Sequence, residues 1–450
     1  MSSGTRSRFA GVLRATLWFW PFVAAVVSLV LTVLLLMVRP DPAPAWAMWL
    51  WPSGVDAAMA LLQVVAGSIM TATTLIFSLT VLALQLASQQ FSPRLLREFA
   101  RDRVTQAVLG ILMSTFVVSV TGLRGMDADR PLPVLVPALV FVMGLGSAGA
   151  LLFYVGHIVR SLRVDTMMLA VHREASRAAR QAYPEYEDHS SDLDPDLPGP
   201  AGGTLVAAPR SGFVKAVRPE GLVQAATTFG VFVQVGVRPG DRVTVGTPLG
   251  SMWTDGGGDV IGSVADQMSE AVAGAVEMGF ERTLEQDPAL GLRQLTDIAV
   301  KAISPAINDP ITAVHAVGHC ADLLVQLQGC RLGSQQHNDD HGTPRVVTPD
   351  RDHRYYLNLV CGPVRRFGGS EPLVLSALLR LLRDCAVSAR DNTQREAIRA
   401  QVGLILESMD PGMLPYDADA VHDLAARVEL VLHGNTDGAY RDRAGETRSV

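Results

Sequence analysis

A line of polar and small residues runs through the longest uncharged stretch of the sequence and could line a path for water or ions. No charged residue occurs from 57 to 88. The polar positions in and beside this stretch follow one another by three, four or seven residues, which places them on one face of a helix. Amide and hydroxyl groups can hydrogen-bond to water and ions, so this face is a candidate pore lining. It comprises Gln63, Gly67, Thr71, Thr74, Ser78, Gln85 and Gln89.

The same face could instead pack against another membrane helix. Small and hydroxyl-bearing residues let two helices approach closely, and Gln and Thr side chains form hydrogen bonds between helices. Hydrocarbon satisfies none of these polar groups, so the face needs a polar neighbour or another helix along its length. The spacing alone leaves both interpretations open.

A second group of polar residues surrounds two helix boundaries in the later part of the chain. Charged side chains crowd the break in RTLEQDPALGLRQLTD, and the sequence SPAINDP then ends the helix that follows. Helix ends expose backbone donors that could bind a ligand. The same side chains could equally cap helices and form salt bridges that hold a helical hairpin. The group comprises Arg282, Glu285, Asp287, Arg293, Asp297, Asn308 and Asp309.

The remaining candidate residues predict neither a metal site nor an enzyme. His315 and His319 are one helical turn apart, with Asp322 nearby, and histidines at this spacing can share a metal. Neither the glutamate of an H-E-x-x-H motif nor an evident third ligand accompanies them. The sequence also has no P-loop, Rossmann fingerprint or G-x-S-x-G motif. We therefore expect no metal, no cofactor and no enzymatic activity.

Four apolar segments must position the polar face in a membrane. They cover about 17–38, 57–88, 104–123 and 132–159, and each is long enough to cross a hydrocarbon core of about 30 Å. We predict a transmembrane domain over residues 1–163.

The arginine distribution predicts how these spans are oriented. Arginines cluster before the first span, between the second and third, and after the fourth, whereas the alternate loops hold few. The positive-inside rule therefore predicts a multi-pass protein with both termini in the cytoplasm. The net charge of −6 does not favour a nucleic-acid partner. The clustered residues are Arg6, Arg8, Arg14, Arg94, Arg97, Arg101, Arg103, Arg160, Arg163, Arg173, Arg177 and Arg180.

The region after the spans divides by the period of its hydrophobic pattern. The predicted fold class is an α-helical integral membrane domain with four transmembrane helices plus a cytosolic α+β region. Within the latter we predict a solvated loop at 331–350 and a short strand at 355–360. Its parts are a basic helix and acidic flexible linker (164–202), a small β-barrel-like module (203–259), a helical domain (260–435) and a disordered tail (436–450).

The string VRPGDRVTVGTPLGSM resembles the half-barrel of lipoyl and biotinyl carrier domains, the barrel-sandwich hybrid. In those domains a G-D-x-V-x-x-G-x-x-L stretch precedes the hairpin that carries the modified lysine. Here no lysine follows before Lys301, so the resemblance implies a structural β module without a swinging-arm cofactor. The matching positions are Gly240, Asp241, Val243, Gly246 and Leu249.

Three stretches together resemble one bacterial family of predicted membrane proteins of unknown function, DUF2254. They are ATTLIFSLTVLALQLASQQFSPRLLREFARDRVTQAVLG, RPGDRVTVGTPL and RTLEQDPALGLRQLTDIAVKAISPAINDPITA. The resemblance extends from Phe9 to about Leu432 and implies a multi-span inner-membrane protein with a cytoplasmic C-terminal region, without any activity. The motif positions, of undefined role, are Gln85, Gln89, Ser92, Pro93, Arg94, Glu285, Gln286, Asp287, Arg293, Gln294, Asp297, Ser304, Pro305, Asn308, Asp309 and Pro310.

Two functions remain compatible with these features. The first is an oligomeric ion channel or pore, lined by the polar face of the second span and gated by the cytosolic domain. Its partners would be the lipid bilayer, further copies of the chain, and ions or a small ligand. The alternative is a membrane-anchored sensor or scaffold whose cytosolic domain binds a ligand or protein partner. Burial of the polar face against the chain's own spans would favour the second function.

Overall fold

The computed structural model divides the chain into two compact units, Met1–Thr166 and Met167–Val450. It describes residues 19–38, 51, 54–90, 102–127, 131–161, 163–186 and 203–441, with only the backbone described at 86–90.

In its described part, the first unit contains four helices that are long and apolar enough to cross a membrane. They lie where the sequence predicts the spans, because uninterrupted apolar runs bounded by charged residues define such helices. The helices are α1 (Phe19–Leu36), α2 (Val55–Gln90), α3 (Arg103–Arg124) and α4 (Leu135–Ser161).

Small residues let these helices approach one another closely around α3. Gly110 of α3 faces Ala24 of α1, and a Cβ at Gly110 would lie 3.7 Å from the Cβ of Ala24. A Cβ at Gly122 would lie only 2.7 Å from Val136 of α4 and 2.8 Å from Leu62 of α2. Gly122 therefore permits three helices to meet at one level, as small residues do in membrane bundles.

Buried hydroxyl groups join the helices inside this unit. The hydroxyl oxygens of Thr115 on α3 and Ser147 on α4 are 2.8 Å apart. Thr80 of α2 and Tyr154 of α4 form a similar contact at 2.6 Å. Both pairs satisfy polar groups that hydrocarbon would leave without partners.

The second unit contains two small sheets. The larger has the order β1-β5-β3-β8-β7, in which β3 and β8 are parallel and the other neighbours antiparallel. The smaller is antiparallel, with the order β4-β2-β6. The strands are β1 (Thr204–Ala207), β2 (Gly212–Val217), β3 (Val231–Val235), β4 (Arg242–Val243), β5 (Pro248–Thr254), β6 (Val276–Gly279), β7 (Gln335–Asn338) and β8 (Pro344–Thr348).

Helices cover and extend these sheets. Two of them, α6 (Pro219–Phe229) and α7 (Gly262–Ala275), share one apolar core with both sheets, centred on Leu222, Val233 and Met268. The other helices are α5 (Val164–Ala182), α8 (Pro288–Ala302), α9 (Pro310–Gln328), α10 (His353–Gly368), α11 (Pro372–Ser388), α12 (Asn392–Glu407), α13 (Pro415–Leu432) and α14 (Thr436–Tyr440).

The strands are not confined to the predicted module at 203–259. Strand β6 lies within the predicted helical domain, and β7 and β8 form a hairpin where the sequence predicts a solvated loop. The predicted helical domain at 260–435 is therefore wrong at these places. Polar residues dominate β7, and each of these strands is short. Pairing with other strands therefore decides whether these segments become strands more than their local propensity does.

Two further predictions in the second unit are wrong. The predicted strand at 355–360 is part of α10, which begins after Asp352, whose carboxylate accepts a hydrogen bond from the backbone N–H of Tyr355 at 2.7 Å. The predicted disordered tail begins with α14, where the ring of Tyr440 stacks 4.0 Å from the guanidinium of Arg383. Residues 442–450, and residues 187–202 of the predicted helix and linker at 164–202, lie outside the described residues.

Candidate functional site

The polar face of α2 is exposed throughout the described part of the first unit. Packing against the chain's own spans is not observed for the described residues of this face, because they are exposed. The hydrogen bond between Thr80 of α2 and Tyr154 of α4 involves a residue that lies off this face. At Gln89 the structure describes only the backbone. The exposed residues of the face are Gln63, Gly67, Thr71, Thr74, Ser78 and Gln85.

The opposite face of α2 is apolar and buried. Leu62, Ile69 and Ile76 pack against α3 and α4, where Leu112 and Tyr154 complete the apolar clusters. At about 100° per residue, this buried face is centred roughly 180° from the polar face. The helix therefore uses one side for contacts inside its own unit and presents the polar side outward.

The hydroxyl groups of the polar face donate to their own helix. Thr71 donates to the Gly67 carbonyl oxygen at 3.1 Å, and Ser78 donates to the Thr74 carbonyl oxygen at 3.0 Å. With the protons directed at the backbone, the hydroxyl oxygens offer their remaining lone pairs outward. The exposed face is consequently neutral and rich in hydrogen-bond acceptors.

Two glutamines mark the ends of this acceptor-rich line. At 1.5 Å per residue, Gln63 and Gln85 are about 33 Å apart along the helix axis, close to the thickness of a bilayer hydrocarbon core. Their amides would therefore lie near the two boundaries of the hydrocarbon. The hydroxyl groups of Thr71, Thr74 and Ser78, together with Gly67, lie between these two levels on this side of α2.

In the second unit, the EQDP sequence joins a sheet to the helices. The Gln286 side-chain oxygen accepts a hydrogen bond from the backbone N–H of Val217, the last residue of β2, at 3.1 Å. Glu285 lies 3.7 Å from Arg218 in an exposed ion pair. Asp287 is the residue before α8, whose first residue is Pro288. These contacts give the motif a positioning role between β2 and α8.

Asp287 also lies in a buried cluster of charges. Its Oδ2 accepts from Arg282 Nη2 at 2.6 Å, and its Oδ1 lies 3.4 Å from Arg351 Nη1. The side chains of Asp287 and Arg351 are 1% and 3% exposed. Burial raises the pKa of the Asp287 carboxyl, while the neighbouring arginines act to lower this pKa. Burial makes such a cluster costly to break, because the removal of any one side chain would leave an uncompensated charge in the interior.

The turn at Pro239 and Gly240, just before β4, completes this cluster. Arg351 Nη2 donates to the carbonyl oxygen of Pro239 at 2.6 Å. The next residue, Gly240, has a φ of 91°, and a Cβ there would collide with Asp287 Oδ2. The turn thus needs glycine both for its backbone conformation and for the approach of the charges.

Two tyrosines near this cluster were not indicated by the sequence. The hydroxyl oxygens of Tyr183 and Tyr356 are 2.6 Å apart, and burial raises the pKa of each phenol. Arg351 was missed as well. Its sequence signal is its position between Asp350 and Asp352, which indicates charge pairing but not the partner.

The SPAINDP sequence forms a tight turn that starts α9. Asp309 accepts hydrogen bonds from the Thr312 backbone N–H at 3.1 Å and from the Thr312 hydroxyl at 2.6 Å. Asn308 has a φ of 52° and is the non-glycine residue with positive φ among the described residues. Pro310 then occupies the first helical position, where its missing N–H costs nothing.

Removal of this cap gives a stability prediction. We expect Asp309→Ala to lower the free energy of unfolding by about 1 kcal/mol, because the first turn of α9 loses its side-chain acceptor. Chemical denaturation of the detergent-solubilised chain measures the change. Asn308→Gly is the matched control and should not destabilise, since glycine adopts positive φ without strain. Equal stability of Asp309→Ala and the wild type would remove the capping role.

The remaining motif residues have different positions. Pro305 is exposed in the turn, Arg293 is half-buried on α8, and Asp297 is exposed on the same helix. Ser304 donates to the Lys301 carbonyl oxygen at 2.7 Å and so helps to end α8. Residues 92–94 of the motif lie outside the described residues.

The structure brings one histidine of the pair at 315 and 319 close to other possible metal ligands. One ligand atom each from His172 on α5 and from His319 and Asp322 on α9 lie within 4.8 Å of one another. His315, one turn earlier on α9, does not belong to this group. The third side chain therefore comes from a helix that is far away in the sequence, where spacing gives no signal.

Comparison with known proteins finds relatives that share most of the chain. A family described as predicted membrane protein, DUF2254, matches residues 14–384. Two uncharacterized proteins, from Mycobacterium bovis and Mycobacterium tuberculosis, are each 34% identical over 355 residues, which cover 78% of this chain and 68% of theirs. No solved structure matches the chain.

Proposed function

The chain belongs to the DUF2254 family of predicted membrane proteins, and we propose that several copies of it assemble into a membrane pore lined by the polar face of α2. The family match over residues 14–384 confirms the resemblance of the three sequence stretches. The observation that supports the pore is the exposure of the polar face, directly opposite the face that packs on α3 and α4.

A single copy would place this face in lipid. Hydrocarbon offers no partner for the amides of Gln63 and Gln85 or for the outward lone pairs of the hydroxyl oxygens. A ring of copies would instead turn these groups toward a shared, water-filled axis. Association therefore removes an unfavourable contact that the fold of one chain leaves in place.

The proposed lining carries no fixed charge. Permeating water and small cations would meet the hydroxyl oxygens of Thr71, Thr74 and Ser78, and oxygen ligands suit cations better than anions. We further propose that both termini are cytoplasmic and that the second unit gates the pore. The two small sheets of this unit would form a rigid part of that gate.

Single-channel recording tests this proposal. The purified chain, reconstituted in planar bilayers, is expected to give discrete conductance steps, and Thr74→Leu and Ser78→Leu are expected to abolish them. Leucine at either position replaces an oxygen with an apolar branch in the hydroxyl-lined segment, which disfavours wetting of the pore. Ser68→Leu is the matched control, because Ser68 is exposed roughly 95° around the helix from the polar face.

Unchanged current in both variants would refute the pore-lining role. A silent bilayer with correctly inserted wild-type protein would favour the membrane-anchored sensor or scaffold instead.

Cross-linking tests the assembly without depending on an open gate. All four cysteines of the chain are buried in the second unit, so a cysteine introduced on α2 is the accessible thiol. We expect Ser78→Cys in membranes to give cross-linked dimers with a short thiol-reactive reagent. Ser68→Cys should give none, and equal cross-linking of the two variants would contradict a specific axis.

A further inference from the structure

We infer that His172, His319 and Asp322 form a binding site for a divalent transition metal that joins α5 to α9. Their three candidate ligand atoms lie within 4.8 Å of one another. Two imidazoles and one carboxylate form a ligand set that suits Zn²⁺ and its neighbours in the first transition row, whereas Mg²⁺ and Ca²⁺ prefer all-oxygen ligands. This inference does not rest on the proposed pore.

The histidine rings are already held near each other. Their centroids are 5.3 Å apart, and His172 Nδ1 lies 3.4 Å from the backbone carbonyl oxygen of His319. In the tautomer with a proton on Nδ1, this N–H donates a hydrogen bond to that carbonyl oxygen, and the Nε2 lone pair is left for a metal. Backbone carbonyls commonly orient metal-binding histidines in this way.

The distances require only a small closure around an ion. Ligand atoms on a tetrahedron with bonds of about 2.0–2.1 Å are about 3.3 Å apart. The separation of up to 4.8 Å would have to shrink by at most about 1.5 Å, and rotation of the exposed Asp322 side chain can supply part of this change. The exposed carboxylate also leaves a solvent-facing position for water or a further ligand.

The site lies beside contacts that already join the same two helices. Ser176 on α5 donates to the Gln326 side-chain oxygen at 2.6 Å, and the Gln326 amide donates to the Ser176 carbonyl oxygen at 2.9 Å. His172 and Ser176 are one turn apart on α5, and α5 follows directly after α4 in the chain. A metal would therefore add a second clamp to the helix that follows the last apolar span.

Zinc binding by the full-length chain tests the site. The protein is purified in detergent, stripped with a chelator and titrated with Zn²⁺ alone, with bound metal measured by elemental analysis after dialysis. We expect about one Zn²⁺ per chain and a higher melting temperature in its presence, because the ion binds the folded state. Titration with Co²⁺ alone should give the visible bands of a tetrahedral site.

Variants of each ligand decide whether these residues hold the metal. His172→Ala, His319→Ala and Asp322→Asn should each weaken Zn²⁺ binding by more than about 100-fold, beyond the effect of changing an outer-shell partner. The exposed Asp322 can be replaced without disturbing the core, so its result stands even where a histidine variant folds poorly. His315→Ala is the matched control on the same helix and should bind like the wild type.

Three results would overturn the inference. The first is that the wild type fails to retain Zn²⁺. The second is that the two single variants Asp322→Asn and His172→Ala both bind Zn²⁺ as well as the wild type does. The third is that His315→Ala loses as much binding as His319→Ala.

Discussion

Replacement of Asp287 by asparagine is expected to destabilise the second unit by about 3–5 kcal/mol. The substitution keeps the shape of the side chain but leaves the guanidinium groups of Arg282 and Arg351 without their shared carboxylate. Arg351 is 3% exposed, so water cannot replace the lost partner. Urea denaturation of the detergent-solubilised chain, followed by circular dichroism, measures the loss.

The same motif supplies a matched control for this prediction. Glu285→Gln removes the exposed pair with Arg218, which lies at 3.7 Å, and should change stability by less than about 1 kcal/mol. Gly240→Ala provides an independent approach to the buried cluster, because its Cβ would collide with Asp287. We expect this variant to be strongly destabilised as well. Similar losses for Asp287→Asn and Glu285→Gln would show that the buried cluster has no special role.

Acidification is expected to destabilise the second unit through His353. This side chain is 7% exposed, and neither ring nitrogen has a hydrogen-bond partner in the described structure. Burial lowers the pKa of His353 from 6.5 to about 4 in the folded state. Between these two pKa values the unfolded chain binds a proton that the folded chain does not. Stability is therefore highest above pH 6.5 and falls as the pH decreases toward 4.

The expected size of this effect is about 3 kcal/mol over the whole window, at 1.36 kcal/mol per pKa unit. Denaturation curves of the wild type and His353→Phe, measured at a series of pH values, isolate it. Phenylalanine keeps a ring in the cavity but cannot titrate, so the difference in stability between the two proteins should vary between pH 4 and 6.5. A constant difference over this range would exclude His353 as the cause.

The sequence predicts the apolar helices and the turns better than the sites. The four spans, the starts of α8 and α9 and the cap at Asp309 all depend on signals that are local in sequence. Apolar runs, N-cap residues and proline at the first helical position act over a few residues. Such features can be found without knowledge of the fold.

The parts that the sequence did not predict depend on distant partners. Asp287 was recognised as a polar residue at a helix boundary, but its partner Arg351 comes from the loop before α10. Similarly, the sequence offers no evident third ligand beside His315 and His319, whereas the structure brings His172 of α5 close to His319 and Asp322. These arrangements arise from tertiary packing, which no period or spacing along one helix contains.

The pairing of β3 with β8 has a consequence for synthesis of the protein. Val233 aligns with Val346, roughly 110 residues later in the chain, so the larger sheet has high contact order. While the ribosome produces the helices in between, the edge of β3 stays unpaired and open to other chains. Expression fragments that end before Thr348 should therefore aggregate, whereas fragments that retain β8 can close this edge. The position of a truncation, more than its length, would decide whether the second unit is recovered in folded form.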